Sequence, residues 1–334
     1  MAINQPYLMF LGDAPDQLAA KTAQGIVDWR PTWCVGQLRL PGCQADLGLP
    51  EMTLEQAAAA GVKTMIVGVA NRGGVISESW IEVLRRALDL GLDLASGLHQ
   101  CLNDTPVLSE AARRRGGELF DVRHTTRRFA VGTGRKRSGK RVLTVGTDCS
   151  IGKKYTALAC EKEMRARGMK ADFRATGQTG IFIASDGVAI DAVVADFISG
   201  AVEWLAPEND ADHWDVIEGQ GSLFHASYAG VSLGLLHGAQ PDALIMCHEP
   251  SRTHMRGLPH YKLPDLRVCI ETNETAARLT NPAARCVGIS VNTSALELTA
   301  ARDYLRMTED EYGLPTVDPI RTGVAPLVDV LARL

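Results

Sequence analysis

Two rhythms of apolar and polar positions run along the chain. Short unbroken apolar runs mark strands buried on both faces, and stretches with apolar residues every third or fourth position mark helices with one buried side. Tyr7 to Leu11 is a run of the first kind, ended by Gly12-Asp13. Thr64 to Ala70 is a stronger one, followed by the turn Asn71-Arg72-Gly73-Gly74. Ser77 then stands where a helix cap belongs, and Trp80, Ile81, Leu84 and Leu88 carry helical spacing to about Leu90. Leu92 to Ser96 is the next strand and leads into Gly97-Leu98-His99. Strand, glycine turn, helix, strand is the βαβ unit of an α/β domain.

The rhythm restarts at Arg141 to Val145, continues through a glycine loop, and becomes a helix from about Lys153 to Arg167 closed by Gly168. Further strands are expected at Ala171–Phe173, Ala192–Ala195, Val216–Ile217, Ala243–Met246, Val268–Ile270 and Val287–Val291. Between the halves lies Arg135-Lys136-Arg137-Ser138-Gly139-Lys140-Arg141, a basic, turn-rich stretch. It reads as a solvated linker, or else as a cationic rim steering an anion to the loop downstream. The expected fold is therefore α/β: a Rossmann-like domain over 1–134, then a P-loop NTPase-like domain over 135–334 with a doubly wound, mostly parallel sheet.

Composition narrows the function. With 334 residues, 46% hydrophobic and 22% charged, the chain can fill two cores. A net charge of -4 speaks against a general nucleic-acid binder. No apolar stretch is long enough to span a bilayer, and Met1 to Phe10 lacks the layout of a signal peptide. The eight cysteines show neither a C-x-x-C pair nor zinc-type spacing, which suits reduced thiols in the cytoplasm. The expected partners are a small-molecule substrate and a second copy of the chain, since α/β enzymes of this kind are often symmetric dimers.

The most informative segment joins a strand to a helix: Val145-Gly146-Thr147-Asp148-Cys149-Ser150-Ile151-Gly152-Lys153-Lys154-Tyr155. Glycines let such a loop wrap closely, its N–H groups point inward, and the helix N-terminus adds positive potential for phosphate. Gly146, Thr147, Cys149, Ser150, Ile151, Gly152, Lys154 and Tyr155 are thus candidates to hold a phosphorylated ligand, with Lys153 reaching a phosphate or an oxyanion. Asp148 sits among them as a further candidate for the chemistry. Glu218 ends the strand in Asp215-Val216-Ile217-Glu218-Gly219-Gln220-Gly221 and could bind a metal or take a proton from an attacking ammonium, and His225 is the alternative base. Cys149, at a helix N-terminus that lowers a thiol pKa, could carry an acyl group.

Other strand ends supply substrate contacts. Thr176-Gly177-Gln178-Thr179-Gly180 offers hydroxyls and amides to a carboxylate or carbonyl, and Gln220 lies near the acidic strand end. In His248-Glu249-Pro250-Ser251-Arg252-Thr253-His254, with His260 beyond, three histidines invite a metal reading, but they lack ligand-type spacing. A polar substrate loop fits better, with Glu249 in it and Arg252 or Arg256 pairing a carboxylate as a fork. Arg72 could clamp an acidic ligand, and Asn292 ends the last strong strand.

The run GTDCSIGK resembles the variant phosphate loop of dethiobiotin synthetase and the cobyrinate amidating enzymes, and DVIEGQG resembles their strand-end acidic motif. That resemblance implies magnesium held partly by Glu218, and an adenine-side turn at Asn292-Thr293-Ser294. One departure is telling. Where those enzymes have a hydroxyl residue to bind magnesium, this chain has Lys154. An ammonium cannot ligate a metal, whereas paired lysines can neutralise a diphosphate without one. Coenzyme A therefore fits better than magnesium–ATP, unless Thr156 supplies a hydroxyl through a shifted register.

From VGVANRGG and SGLH through GTDCSIGKK, TGQTG and IEGQGSL, the whole chain resembles a bacterial family long described as a domain of unknown function. Some of its members are D-glutamate N-acetyltransferases. The resemblance implies acetyl transfer from acetyl-CoA to a D-amino acid, most readily D-glutamate. The alternatives are a magnesium–ATP-dependent ligase or kinase of the dethiobiotin synthetase type, and a nucleotide-binding switch or chaperone.

Overall fold

The computed structural model describes residues 3–71 and 73–334. The chain forms two compact units: Met1–Arg127 with Gly177–Ala192, and Arg128–Thr176 with Val193–Leu334. The hydrophobic pattern carries no mark of the excursion of 177–192 into the first unit.

In the first unit the chain runs β1 (Tyr7–Gly12), α1 (Lys21–Trp29), β2 (Cys34–Arg39), α2 (Leu54–Ala59), β3 (Thr64–Val67), α3 (Glu78–Asp89), β4 (Asp93–Ser96), α4 (Pro106–Arg115) and β5 (Leu119–Asp121). The strands form one parallel sheet in the order β2-β1-β3-β4-β5. All residues of β1 and β3 are buried, as their unbroken apolar runs require. Ser77 does occupy the cap position of α3, but its hydroxyl pairs with Ser79 at 2.8 Å rather than with the backbone. That helix buries Trp80, Leu84, Ala87 and Leu88. The Trp80 ring lies so close to Gly12 (φ +50°) that a Cβ there would sit 2.7 Å from it, and the indole N–H donates to Asp13 at 2.8 Å.

The second unit holds β6 (Lys140–Gly146), α5 (Lys153–Ala166) and β7 (Ala171–Arg174). After α6 (Gln178–Ala184), which belongs to the first unit, it continues with α7 (Ile198–Leu205), β8 (Trp214–Ile217), α8 (Ala229–Ala239), β9 (Ala243–His248), α9 (Leu266–Arg278), β10 (Arg285–Val291), α10 (Leu298–Tyr312), β11 (Thr316–Val317) and α11 (Ala325–Leu331). Six parallel strands run in the order β11-β10-β9-β6-β8-β7. The chain winds to one side of β6 and then to the other, so the crevice at the carboxyl end of β6 is the natural ligand position. Val142, Ala157, Cys160, Trp214, Val216 and Ile245 lie in the core beneath it.

Three expectations are corrected. Ala192–Ala195 is not a strand; short 3-10 turns at Ile190–Ala192 and Ala195–Phe197 flank an exposed Val194, so this apolar run has no sheet to bury it. Val268–Ile270 lies inside α9. Asp265 caps that helix through Arg267 N–H at 2.8 Å and Val268 N–H at 3.3 Å, and Leu266, Cys269, Ile270, Asn273 and Ala277 bury at helical spacing. Three apolar residues are too short a run for periodicity to decide between strand and helix. The basic stretch before β6 is no rim for the loop, and it is a solvated linker only in part: Arg135, Lys136 and Ser138 are exposed. Arg137 and Arg141 are buried at the amino end of β6, roughly 20 Å of strand away from the loop at its other end.

No helix among the described residues is long and apolar enough to cross a membrane.

Candidate active site

The loop after β6 is built as the glycines promised. Gly146 passes where a Cβ would sit 2.6 Å from Ile151 Cδ1 and 3.2 Å from the Cys247 carbonyl oxygen. Ser150 (φ +54°) and Gly152 (φ +109°) turn the chain left-handed, and Gly152 is the N-cap of α5. A Cβ at Gly152 would meet nothing within 4 Å, so its left-handed backbone and not crowding is what favours glycine there. Thr147 N–H donates to the Cys247 carbonyl at 3.1 Å, which ties the loop to the end of β9.

Lys153, buried in the first turn of α5, folds back over its own loop and donates through Nζ to the Asp148 carbonyl at 2.7 Å. Burial pushes its pKa below the ordinary lysine value. Asp148 is fully buried. Burial alone would raise its carboxyl pKa, but charge-assisted hydrogen bonds outweigh that and hold it below the ordinary range. The donors are Arg252 Nη1 at 2.8 Å, Cys149 N–H at 2.7 Å and Arg256 N–H at 2.8 Å.

Arg252 binds the loop itself. Besides Asp148, its guanidinium donates to the carbonyls of Cys149 at 2.7 Å and Ser150 at 3.3 Å, and to Glu249 at 2.7 Å. Glu249 thus holds Arg252, and Arg252 holds the loop. Arg256 differs: its main chain is pinned, yet its half-buried guanidinium makes no ion pair among the described residues. Lys154 lies over the Tyr155 ring, 5.0 Å from its centroid.

Glu218 arrives from β8. Its carboxylate accepts Thr176 N–H at 3.0 Å, and its carbonyl accepts the Thr176 hydroxyl at 2.6 Å. The next residue must be glycine: a Cβ on Gly219 would fall 1.6 Å from the Thr144 carbonyl oxygen and 2.9 Å from Lys153 Cδ. This close approach brings the Glu218 strand end against the Lys153 stem. Gln220 Nε2 donates to the Thr176 hydroxyl at 3.2 Å.

His225 is buried, and both ring nitrogens are engaged. Nδ1 accepts Ser227 N–H at 3.1 Å and Nε2 faces the Arg256 carbonyl at 3.0 Å, so the proton resides on Nε2. Asp148, Cys149 and His225 can each bring one donor atom within 4.8 Å of the others. The Asp148 and His225 atoms already serve the hydrogen bonds above. The expected lowering of the Cys149 thiol is reversed: burial, with the Asp148 charge beside it, pushes its pKa up.

Three further sequence candidates fall nearby. His248 meets the Thr147 hydroxyl through Nδ1 at 3.1 Å, and burial pushes its pKa down to about 4. Among the described residues, His248, His254 and His260 do not gather as a metal-binding cluster. Asn292 N–H donates to the His248 carbonyl at 2.8 Å, and its side chain accepts Ser294 N–H at 3.1 Å. Thr156 has its hydroxyl committed to the Gly152 carbonyl at 3.1 Å and to Ser290 at 2.8 Å, so it supplies none to the loop mouth.

The TGQTG motif is divided. Thr176 belongs with Glu218, whereas Gly177, Gln178 and Thr179 belong to the first unit. There Gln178 donates to the Gly97 carbonyl at 2.6 Å and accepts from Arg123 at 3.2 Å, in the amide orientation that satisfies both. Asn71 closes its own turn on Val75, at 2.8 and 3.1 Å. Arg72 lies outside the described residues. Thr144, whose hydroxyl accepts Gly219 N–H at 2.9 Å, and Ser222, which donates to the Thr147 carbonyl at 3.2 Å, were not anticipated. Nothing in strand periodicity distinguishes such hydroxyls from neighbours that face the core.

Residues 128–328 match the DUF1611 P-loop domain and residues 38–125 its N-terminal Rossmann-like domain, both described as domains of unknown function. The chain belongs to the DUF1611 family. A DUF1611 protein of known crystal structure, from Anabaena variabilis, is 32% identical with a TM-score of 0.90 and covers 99% of this chain and 100% of its own. Two curated relatives match over the whole length. One from Tritonibacter scottomollicae is 59% identical over 99% of this chain and 100% of its own, and one from a Pseudoalteromonas species is 50% identical over 98% and 99%. Both are named D-glutamate N-acetyltransferase. As in the family, the fold is a Rossmann-like α/β domain followed by a P-loop domain.

Proposed function

We propose that this protein acetylates the amino group of D-glutamate with acetyl-CoA as donor. The observation that carries the reading is the end-to-end similarity to two relatives of that name, at 59% and 50% identity. The loop chemistry agrees. Its glycine turns, helix N-terminus and adjacent Lys153 and Lys154 suit a diphosphate. The position that would ligate magnesium in a nucleotide-hydrolysing loop is Lys154, and the nearby Thr156 hydroxyl is committed elsewhere. Both features favour a phosphate ligand bound without metal.

Acetyl-CoA, when bound, supplies the activated acetyl group. The protein has three tasks. It holds the donor phosphates on the loop amides, with Gly146 to Gly152 as the cradle. It deprotonates the substrate ammonium, a role for Glu218, which accepts Thr176 N–H, or for His225, which accepts Ser227 N–H; either must share or give up that bond. It offsets negative charge developing on the carbonyl oxygen, a role for Lys153, fixed by the Asp148 carbonyl on one side and Gly219 on the other. Held together, amine and thioester form the C–N bond as the C–S bond breaks; the CoA thiolate leaves and takes up one proton, the other leaves through the base, and no acyl-enzyme is needed.

The test is a thermal-shift series with CoA, acetyl-CoA, ATP and magnesium–ATP, followed by acetylation assays on D- and L-glutamate. A ligand that binds only the folded state raises the midpoint. Stabilisation by CoA without magnesium and turnover of the D-isomer are expected. Stabilisation by magnesium–ATP alone would instead favour the ligase reading.

A further inference from the structure

Three cations stand at or near the phosphate loop with identified partners. Lys153 reaches the Asp148 carbonyl, Lys154 lies over Tyr155, and Arg252 is shared among Asp148, Glu249 and two loop carbonyls. Arg256 is arranged the opposite way. Its N–H donates to Asp148 Oδ2 at 2.8 Å and its carbonyl faces His225 Nε2 at 3.0 Å. Residue 256 is therefore clamped at both ends of its backbone to two buried groups beside the loop. Its side chain carries the planar donor fork best matched to a carboxylate or phosphate, and no acceptor among the described residues takes it up. It is close enough to Cys149 for its charge to favour the thiolate there.

We propose that Arg256 is an anion-recognition residue of the active site, its guanidinium binding an oxyanion of the bound ligands. This deepens the acetyltransferase reading and rests on it for the identity of the ligands. The oxyanion has two sources with the same chemistry: a carboxylate of the amino-acid substrate, or a phosphate of the acetyl donor.

The contacts that place residue 256 are main-chain ones, so Arg256→Gln removes the fork and leaves the clamp. Calorimetric titration of wild type and R256Q with D-glutamate, and separately with CoA, reads the effect without requiring turnover. Loss of charge-assisted hydrogen bonds should weaken one ligand about 10- to 100-fold. R256K, which keeps charge without the fork, should recover part of that. Weakening confined to D-glutamate assigns a carboxylate, and weakening confined to CoA assigns a phosphate. Affinities of R256Q within about twofold of wild type for both, or a wild type that binds neither, would overturn the proposal. Wild-type acetylation of D-glutamate is measured alongside. Its absence would sink the proposed reaction, while the paired titrations would still decide Arg256.

Discussion

The two ends of the six-stranded sheet both bury charge, and they use it differently. At the amino end, Arg141 in β6 is fully buried and donates to the carbonyls of Arg137, Ser138 and Pro207 at 2.8–3.3 Å. Asp215 on the neighbouring β8 accepts from Arg174 at 2.7 Å, and His213 meets Asp172 at 3.1 Å. These charges lock strands and loops to one another. At the carboxyl end, Lys153, Glu218 and Arg252 gather at a loop that holds Asp148 and leads into a helix N-terminus. The same residue types at similar burial thus make a structural clamp at one end and the candidate site at the other. What separates them is strand direction: in a parallel sheet the helix N-termini, with their unpaired N–H groups, follow the carboxyl ends.

The comparison breaks most visibly on activity. Lys153→Met keeps the volume and removes the charge. It should cut kcat/KM for acetyl transfer about 10²- to 10³-fold, the usual loss for one oxyanion or phosphate donor. Its Tm should hold or rise, because a buried ammonium costs desolvation that a methionine does not. A variant that kept full activity would put Lys153 with the structural charges. Asp215→Asn at the other end should do the reverse. It leaves Arg141 and Arg174 short of a buried counter-charge and should cost about 3 kcal/mol in urea unfolding, with kcat per folded molecule near wild type.

Legibility in the sequence follows the same division. The loop at the end of β6 was readable because glycine, lysine and a strand-to-helix switch are local signals. The buried arginines were not: Arg137 and Arg141 look like any basic linker until the carbonyls they cap, as far away as Pro207 and Gly238, are in place. Arg252 read as a substrate fork because three of its four acceptors lie on the loop after β6, far from it in sequence. The short run at Val268 misled for a different reason, since three apolar residues fit either period. The unbroken apolar run from Thr64 needed no tertiary knowledge to mark a buried strand, although the strand stops at Val67, short of Ala70.

Acid sharpens the contrast by a smaller amount. His248, beside the loop, is held neutral by burial, with a folded pKa of about 4 against an ordinary 6.5. A depressed folded value means its stability is fully present above pH 6.5 and is lost as pH falls toward 4. His248→Gln should flatten the fall in urea midpoint across that window, by about 1–2 kcal/mol. Asp148 at one end and Asp172 at the other both have lowered pKa values, so the stability they contribute is present above the ordinary 3.8 and lost only below it. The two windows therefore separate in a titration. A variant whose slope between pH 6.5 and 4 matched wild type would show that His248 is not the group titrating there.

The smallest expected effect concerns Cys149, and it asks whether the loop does chemistry or only holds it. A thiol with an ordinary or lowered pKa at a helix N-terminus would be a credible acyl carrier. Here burial and the adjacent Asp148 carboxylate keep it protonated, and Asp148 is itself held ionised by Arg252 and two backbone N–H groups. The charge that would activate the thiol is spent on the loop, so direct transfer from donor to amine is the expected route. Cys149→Ala should retain kcat within about threefold, because only a small, half-buried side chain is lost. Acid-quenched mass spectra of wild type with acetyl-CoA should show no added acetyl group. A loss of activity comparable to that of Lys153→Met, together with an acetylated wild-type peptide containing Cys149, would make the carboxyl end of this sheet a covalent site and not solely an electrostatic one.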